Sequence, residues 1–257
     1  MGSLQNRCTS CRGLLAIQKI DTVHIKSAAI HAISGSFLFS GILWLSFAAF
    51  FSGPSLSVTE QACLASSVAH GHTFRLYAYD SLQVPPGVEL ANAASTIPVA
   101  ERDAFFSMEI GQVQFRRISQ FSNGFQYRLL HDQGGWWVDT DVLCLSSDIP
   151  KSDPIFAWES FDVIGNAILK FPRRYPVMSD ALKFWRENQS VPTFGYTGPY
   201  LFTRLIREHG LADVTAPVRT IYQIPPVDAL ATWDPTRRAK VESVIVGLSY
   251  VRKLVTA

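Results

Sequence analysis

The run Gly134-Gly135-Trp136-Trp137-Val138-Asp139-Thr140-Asp141-Val142 constrains the fold more than any other part of this chain. Upstream of it, Phe121, Phe125, Leu129 and Leu130 recur at helical spacing, so residues 121–133 read as a helix with one buried side. The glycine pair stops that helix, because one glycine is free to take the left-handed conformation. Residues 136–138 then form a short apolar strand. Two carboxylates follow at its carboxyl end, where open α/β sheets gather their ligands.

Burying such carboxylates among aromatic and apolar neighbours without a partner costs several kcal/mol. A bound cation supplies the partner, and oxygen-only ligation suits a hard ion such as Mn²⁺ or Mg²⁺. Such an ion can hold two linked phosphates and stabilise them as they leave. The Asp-x-Asp pattern alone is weak, since two solvated aspartates on a turn would look the same. Its setting gives it weight: an apolar helix, two glycines, two tryptophans and an apolar continuation.

The rest of the chain fits an α/β domain with a mixed, mostly parallel central sheet flanked by helices. Residues 46–51 suit a first, buried strand. Ser57-Val58-Thr59-Glu60 has the form of a capping box, so a helix should run from there to about residue 69. Residues 73–79 alternate, with Phe74, Leu76 and Ala78 on one face and Arg75, Tyr77 and Tyr79 on the other, which predicts a strand. Residues 84–87 are a loop. A strand over 164–171, a helix over 177–187, a turn at Gly198-Pro199 and a helix over 200–209 follow. Beyond residue 215 the chain is rich in turns and no element is assigned.

With 257 residues, of which 47% are hydrophobic and 17% charged, the chain can bury one sizeable core. A net charge of +2 argues against a dedicated nucleic-acid binder. Residues 1–45 form a poorly defined leader. Residues 28–51 carry no Asp, Glu, Lys or Arg, and their length matches the ~20 residues that cross a bilayer. Arg7, Arg12, Lys19 and Lys26 precede them, which would leave the amino terminus cytoplasmic. A single-pass anchor and a cytoplasmic or membrane-associated domain are therefore both open. Cys8 and Cys11 make half a zinc motif with no second half, and read as unpaired thiols. Cys144, on the apolar continuation, reads as core.

The segment Phe121-Ser122-Asn123-Gly124-Phe125-Gln126-Tyr127-Arg128, continuing through Gly134-Gly135 to Asp139-Thr140-Asp141-Val142, resembles the signature of the DXD-containing sugar-transferase family. Ser52-Gly53-Pro54, Leu76-Tyr77-Ala78-Tyr79-Asp80 and Thr197-Gly198-Pro199 also sit where bacterial members have similar segments, and the likeness spans about residues 50–250. The resemblance implies a GT-A fold over 46–257, a nucleotide-sugar donor (most often a UDP-sugar), a divalent metal, a glycan or lipid-linked acceptor, and transfer with retention. Asp141 would bind the metal directly, and Asp139 the donor ribose or sugar, or the metal through water. Phe51 falls where many relatives stack a tryptophan on uracil. Asn123, Gln126 and Tyr127 would lie at the donor. Glu159, Asp162, Thr197 and Tyr200 would shape the acceptor pocket.

Two departures stand out. Many relatives have Asp and Arg at the positions of Asn123 and Gln126, and Gln126 lacks an arginine's charge and rigid fork of donors. Relatives also continue past a Ser-Tyr segment into a tail with His and Trp, whereas Ser249-Tyr250 is followed here by neither. Those departures keep open an inactive nucleotide-sugar-binding relative. A phosphatase of the haloacid-dehalogenase type, with Asp139 as nucleophile, is a further alternative, although Leu143 replaces its usual Thr or Val.

Overall fold

A computed structural model describes residues 46–108, 114–191, 193, 195–216 and 221–222, and the backbone of 251–253; the side chains of 114–116 lie outside that set. These residues belong to one compact unit, Trp44–Ala257. Residues 1–45, with the cysteine pair and most of the 28–51 segment, lie outside the described residues, as does Ser249-Tyr250.

The chain begins with β1 (Ser46–Phe50), α1 (Val58–Ala69), β2 (Thr73–Ala78) and β3 (Val88–Asn92). Next come α2 (Val99–Ser107), α3 (Gln114–Gln133), β4 (Gly135–Val138) and β5 (Val142–Cys144). The order closes with β6 (Ile168–Phe171), α4 (Pro176–Glu187), α5 (Pro199–Glu208) and β7 (Val251–Lys253). The main sheet has the order β3-β2-β1-β4-β6, in which all neighbours are parallel except β4 and β6. It is thus the mixed, mostly parallel sheet expected. β5 and β7 make a separate antiparallel pair.

The order reverses at β1. The chain moves outward from β1 through β2 to β3, then returns to place β4 on the other side of β1. Such a reversal opens a crevice at the carboxyl ends of the two strands, and Phe51 and Asp139 are the first residues beyond them.

Both faces of the sheet are covered. Tyr77, Phe121, Phe125, Trp137, Leu169 and Trp185 belong to one buried cluster. Phe47, Phe74, Leu76, Trp136 and Ile168 belong to the other. The tandem tryptophans thus enter opposite halves of the core, as strand alternation requires.

Helix α1 carries the capping box in full. The Ser57 hydroxyl accepts from Glu60 N at 3.2 Å, and Glu60 returns a carboxylate to Ser57 N at 2.7 Å. α3 begins seven residues before the expected start. Its first turns hide Arg117 and Gln120, which break the apolar pattern yet donate to the carbonyls of Gln189, Asn188 and Val191. Gly134 and Gly135 both have positive φ, 71° and 94°, as the stop of α3 demands.

Three expectations need adjusting. β6 starts at Ile168 rather than 164, because Ile164 and Gly165 bond to the 157–158 segment and pairing with β4 begins only at Val138↔Ile168. β3 and α2 have no counterpart in the sequence reading. The last residues of 28–51 are β1, so a span within that segment would have to end before it. Among the described residues, no helix is long and apolar enough to cross a membrane. Cys144 is core, as expected, and burial pushes its thiol pKa up.

Candidate functional site

The acidic pair sits on a tight turn joining β4 to β5. Asp139 N donates to Ala167 O at 2.8 Å, and Val142 N donates back to Asp139 O at 3.1 Å. β4 pairs with β1 through Trp137↔Ala48; carried forward two residues, that register sets Asp139 level with Phe50. Both aspartates are half-buried. The Asp139 carboxylate is oriented by its own strand, since the indole N–H of Trp137 donates to Oδ1 at 2.7 Å.

One strand away, Phe50, Phe51, Ser52 and Gly53 line a small cleft with Ala78, Tyr79 and Asp80 from the end of β2. Arg102 and Phe106 of α2 close its far side. The Phe51 ring lies against Gly53, where an added Cβ would meet ring carbons at 3.0 Å. Arg102 lies over the Tyr79 ring at 4.5 Å and is held by Asp103 at 2.7 Å. The Tyr79 hydroxyl donates to Ile97 O at 2.7 Å, and its pKa is pushed up to about 12, chiefly by burial. An aromatic floor beside a fixed cation and a carboxylate suits a planar, polar ring. Phe51 lines this cleft, together with Tyr79, Asp80, Arg102 and Phe106, which the sequence reading did not single out.

The expected donor residues on α3 part company. Asn123 is half-buried and adjoins Gly198, where an added Cβ would lie 2.9 Å from its Nδ2. Gln126 is 1% exposed, and both ends of its amide meet Asn166: Nε2 donates to Asn166 O at 2.6 Å, and Oε1 accepts from Nδ2 at 3.1 Å. Tyr127 is wholly buried; its hydroxyl donates to Thr197 O at 2.9 Å, and burial holds its pKa far above the usual range. Gln126 and Tyr127 thus act here as clasps that hold neighbouring loops against α3, and neither faces an open pocket as expected. Arg128 turns away and pairs with Asp132 at 2.6 Å.

Of the residues expected at an acceptor, Glu159 and Asp162 lie on a turn closed by Glu159 N donating to Val163 O at 2.9 Å. That turn docks on α5, where Ile164 N donates to Thr203 Oγ1 at 2.8 Å and Arg207 reaches Asp162 O at 3.1 Å. Tyr200 is 59% exposed at the start of α5. Thr197 is buried, and its carbonyl is the partner of Tyr127. Glu159 and Asp162 therefore sit together on the turn against α5, Tyr200 stands at the start of that helix against Gly195, and Thr197 is tied to α3.

Among the described residues, no group of three or more His, Cys, Asp or Glu gathers. Mg²⁺ is commonly held by only one or two carboxylates, with phosphate and water completing its sphere. Asp139 and Asp141, on one turn with one carboxylate already oriented, fit that donor set.

No family model matches the chain, and no curated protein is significantly similar to it. Among solved structures, the chain is similar to one titled "PaToxG Glycosyltransferase". Sequence identity is 10%, 89% of this chain and 84% of that chain are covered, and the TM-score is 0.48.

Proposed function

We propose that this chain is a metal-dependent glycosyltransferase that moves a sugar from a nucleotide-sugar, a UDP-sugar above all, to a hydroxyl of a glycan or lipid-linked acceptor with retention. The observation that carries the reading is the Asp139-Thr140-Asp141 turn at the carboxyl end of β4, beside the Phe50–Gly53 cleft and at the reversal of strand order. Asp141, with Asp139, would hold Mn²⁺ or Mg²⁺, which when bound supplies positive charge to a departing pyrophosphate.

The protein's own groups have separable tasks. Phe51 and Phe106 offer rings to the base, and Arg102 and Asp80 offer polar contacts at its edge. Asn123 presents an amide to the sugar. Trp137 keeps the Asp139 carboxylate turned toward the site. Glu159, Asp162 and Tyr200 orient the acceptor, whose hydroxyl attacks from the side the nucleotide leaves. Stabilising charge in the leaving group is electrostatic catalysis, and it needs donors fixed before the reaction begins.

Gln126 favours a second reading. Its amide is occupied by Asn166 at both ends, which supports nucleotide-sugar binding without turnover.

Calorimetry of UDP binding with and without Mn²⁺, alongside UDP-sugar hydrolysis, separates the two. Asp141→Ala is expected to abolish Mn²⁺-dependent UDP binding, and unchanged affinity refutes the assignment. Binding without sugar release selects the second reading. Phosphate release from a simple monoester would point to a phosphatase instead.

A further inference from the structure

The two carboxylates of the acidic turn hang on different sheets. Asp139 directly follows β4 of the five-stranded sheet, and its N–H is tied to Ala167 O at 2.8 Å. Asp141 directly precedes β5, which lies outside that sheet and pairs with β7. The distance between the carboxylates therefore depends on where β5 is held.

β5 has three residues, and a two-stranded pair that short is marginal without support. Its far end is pinned to α1, where Cys144 N donates to Ser66 Oγ at 2.9 Å. The end that meets the acidic turn pairs with β7, in the register Val142↔Lys253, Leu143↔Arg252 and Cys144↔Val251. The cross-strand bonds follow from the neighbouring ones. Val142 N donates to Asp139 O and Cys144 N to Ser66 Oγ, so both N–H groups turn away from β7. Bonding alternates along an antiparallel ladder, which leaves Leu143 and Arg252 as the pair that exchanges N–H and carbonyl bonds. The backbone of Arg252 thus holds β5 two residues past Asp141.

We infer that β7 is a positioning element of the acidic pair: the Leu143–Arg252 backbone pairing fixes Asp141 relative to Asp139 and so sets the affinity for a divalent cation. The inference rests on the metal reading above. A cation shared by two protein carboxylates and a diphosphate needs both carboxylates in place at once. Supports that orient metal ligands from outside are worth about ten- to a hundredfold in affinity.

The test uses the full chain, with calorimetry of UDP in the presence of MnCl2 at a temperature well below Tm. Arg252→Pro removes the ladder N–H and is expected to weaken Mn²⁺-supported UDP binding by about tenfold. Val251→Pro, at a position whose N–H faces away from β5, should stay within about twofold of wild type. Arg252→Ala, which restores the backbone donor, should recover wild-type affinity. Equal losses in the two proline variants, no recovery in Arg252→Ala, or a lower Tm for Arg252→Pro with an unchanged Kd would overturn the inference. Should Arg252→Pro not fold, hydrogen exchange of the wild-type chain decides. By reciprocity, saturation with Mn²⁺ and UDP should slow exchange of the Leu143 amide by about tenfold, and unchanged exchange overturns the inference. A wild-type chain that binds no UDP in the presence of Mn²⁺ sinks the metal reading itself, a result read before any variant is made.

Discussion

Replacing Trp137 with phenylalanine separates the two tasks of that side chain, which fills the core and orients a carboxylate. The ring is 1% exposed, so losing about three heavy atoms leaves a small void costing ~2 kcal/mol, at ~0.8 kcal/mol for each buried methylene. The indole N–H donates to Asp139 Oδ1 at 2.7 Å. A hydrogen bond to a charged acceptor contributes ~1.5–3 kcal/mol, and Asp139 is only half-buried, so water recovers part and the lower end applies. Trp137→Phe should therefore lower unfolding free energy by about 3 kcal/mol, within the ~5–15 kcal/mol of an ordinary domain. Urea denaturation measures that loss. The second effect is on binding. An Asp139 carboxylate that is no longer held should weaken Mn²⁺-supported UDP binding by roughly tenfold, as removal of an outer support of a metal ligand typically does. Calorimetry at a urea-free temperature well below Tm reads it. A variant that is less stable but binds Mn²⁺ and UDP as wild type does would show that Trp137 only packs, and the reasoning would fail.

Two further perturbations probe the scaffold. At Gly124 an added Cβ would lie 2.0 Å from the Trp185 ring; despite the better helix propensity of alanine, Gly124→Ala should destabilise by roughly 1–3 kcal/mol through overpacking, and an unchanged Tm would contradict the α3–α4 contact. Burial alone would raise the Asp132 pKa, yet hydrogen bonds from His131 and Arg128 outweigh it and hold the carboxyl below its usual range. The resulting stability is present above the unfolded-state pKa and is lost as pH falls through the lower folded-state value, so Asp132→Asn should cost about 0.5 kcal/mol at pH 7 for this partly exposed pair and nothing once the acid is protonated. Equal Tm differences at pH 7 and at strongly acid pH would refute that account.

The centre of this fold is readable from side-chain patterns, whereas its edges are not. β1 and β4 are announced by their apolar runs and β2 by its alternation, and Gly134-Gly135 marks the stop of α3. β3 is a different case: Glu89, Leu90 and Asn92 are exposed, and pairing with β2 from Phe74↔Val88 to Ala78↔Asn92 is what makes it a strand. α2 buries only Phe105, so its periodicity is faint. Those two silent elements matter, because α2 brings Arg102 and Phe106 to the cleft. The acidic pair was visible because two charges interrupt an apolar stretch. Asn166 was not, since a single asparagine carries no signal until the fold sets it against partners 40 and 43 residues earlier. Gln126 and Tyr127 were placed at the donor by likeness of position, and burial gives them a supporting role instead.

The neighbouring indoles of β4 act as rivets driven from opposite sides of one plate. With Trp136 fastened in one half of the interior and Trp137 in the other, the strand cannot slide or roll without tearing loose on both sides at once. The acidic corner is accordingly anchored from both halves of the interior, so any molecule that engages the two carboxylates meets them on a fixed footing.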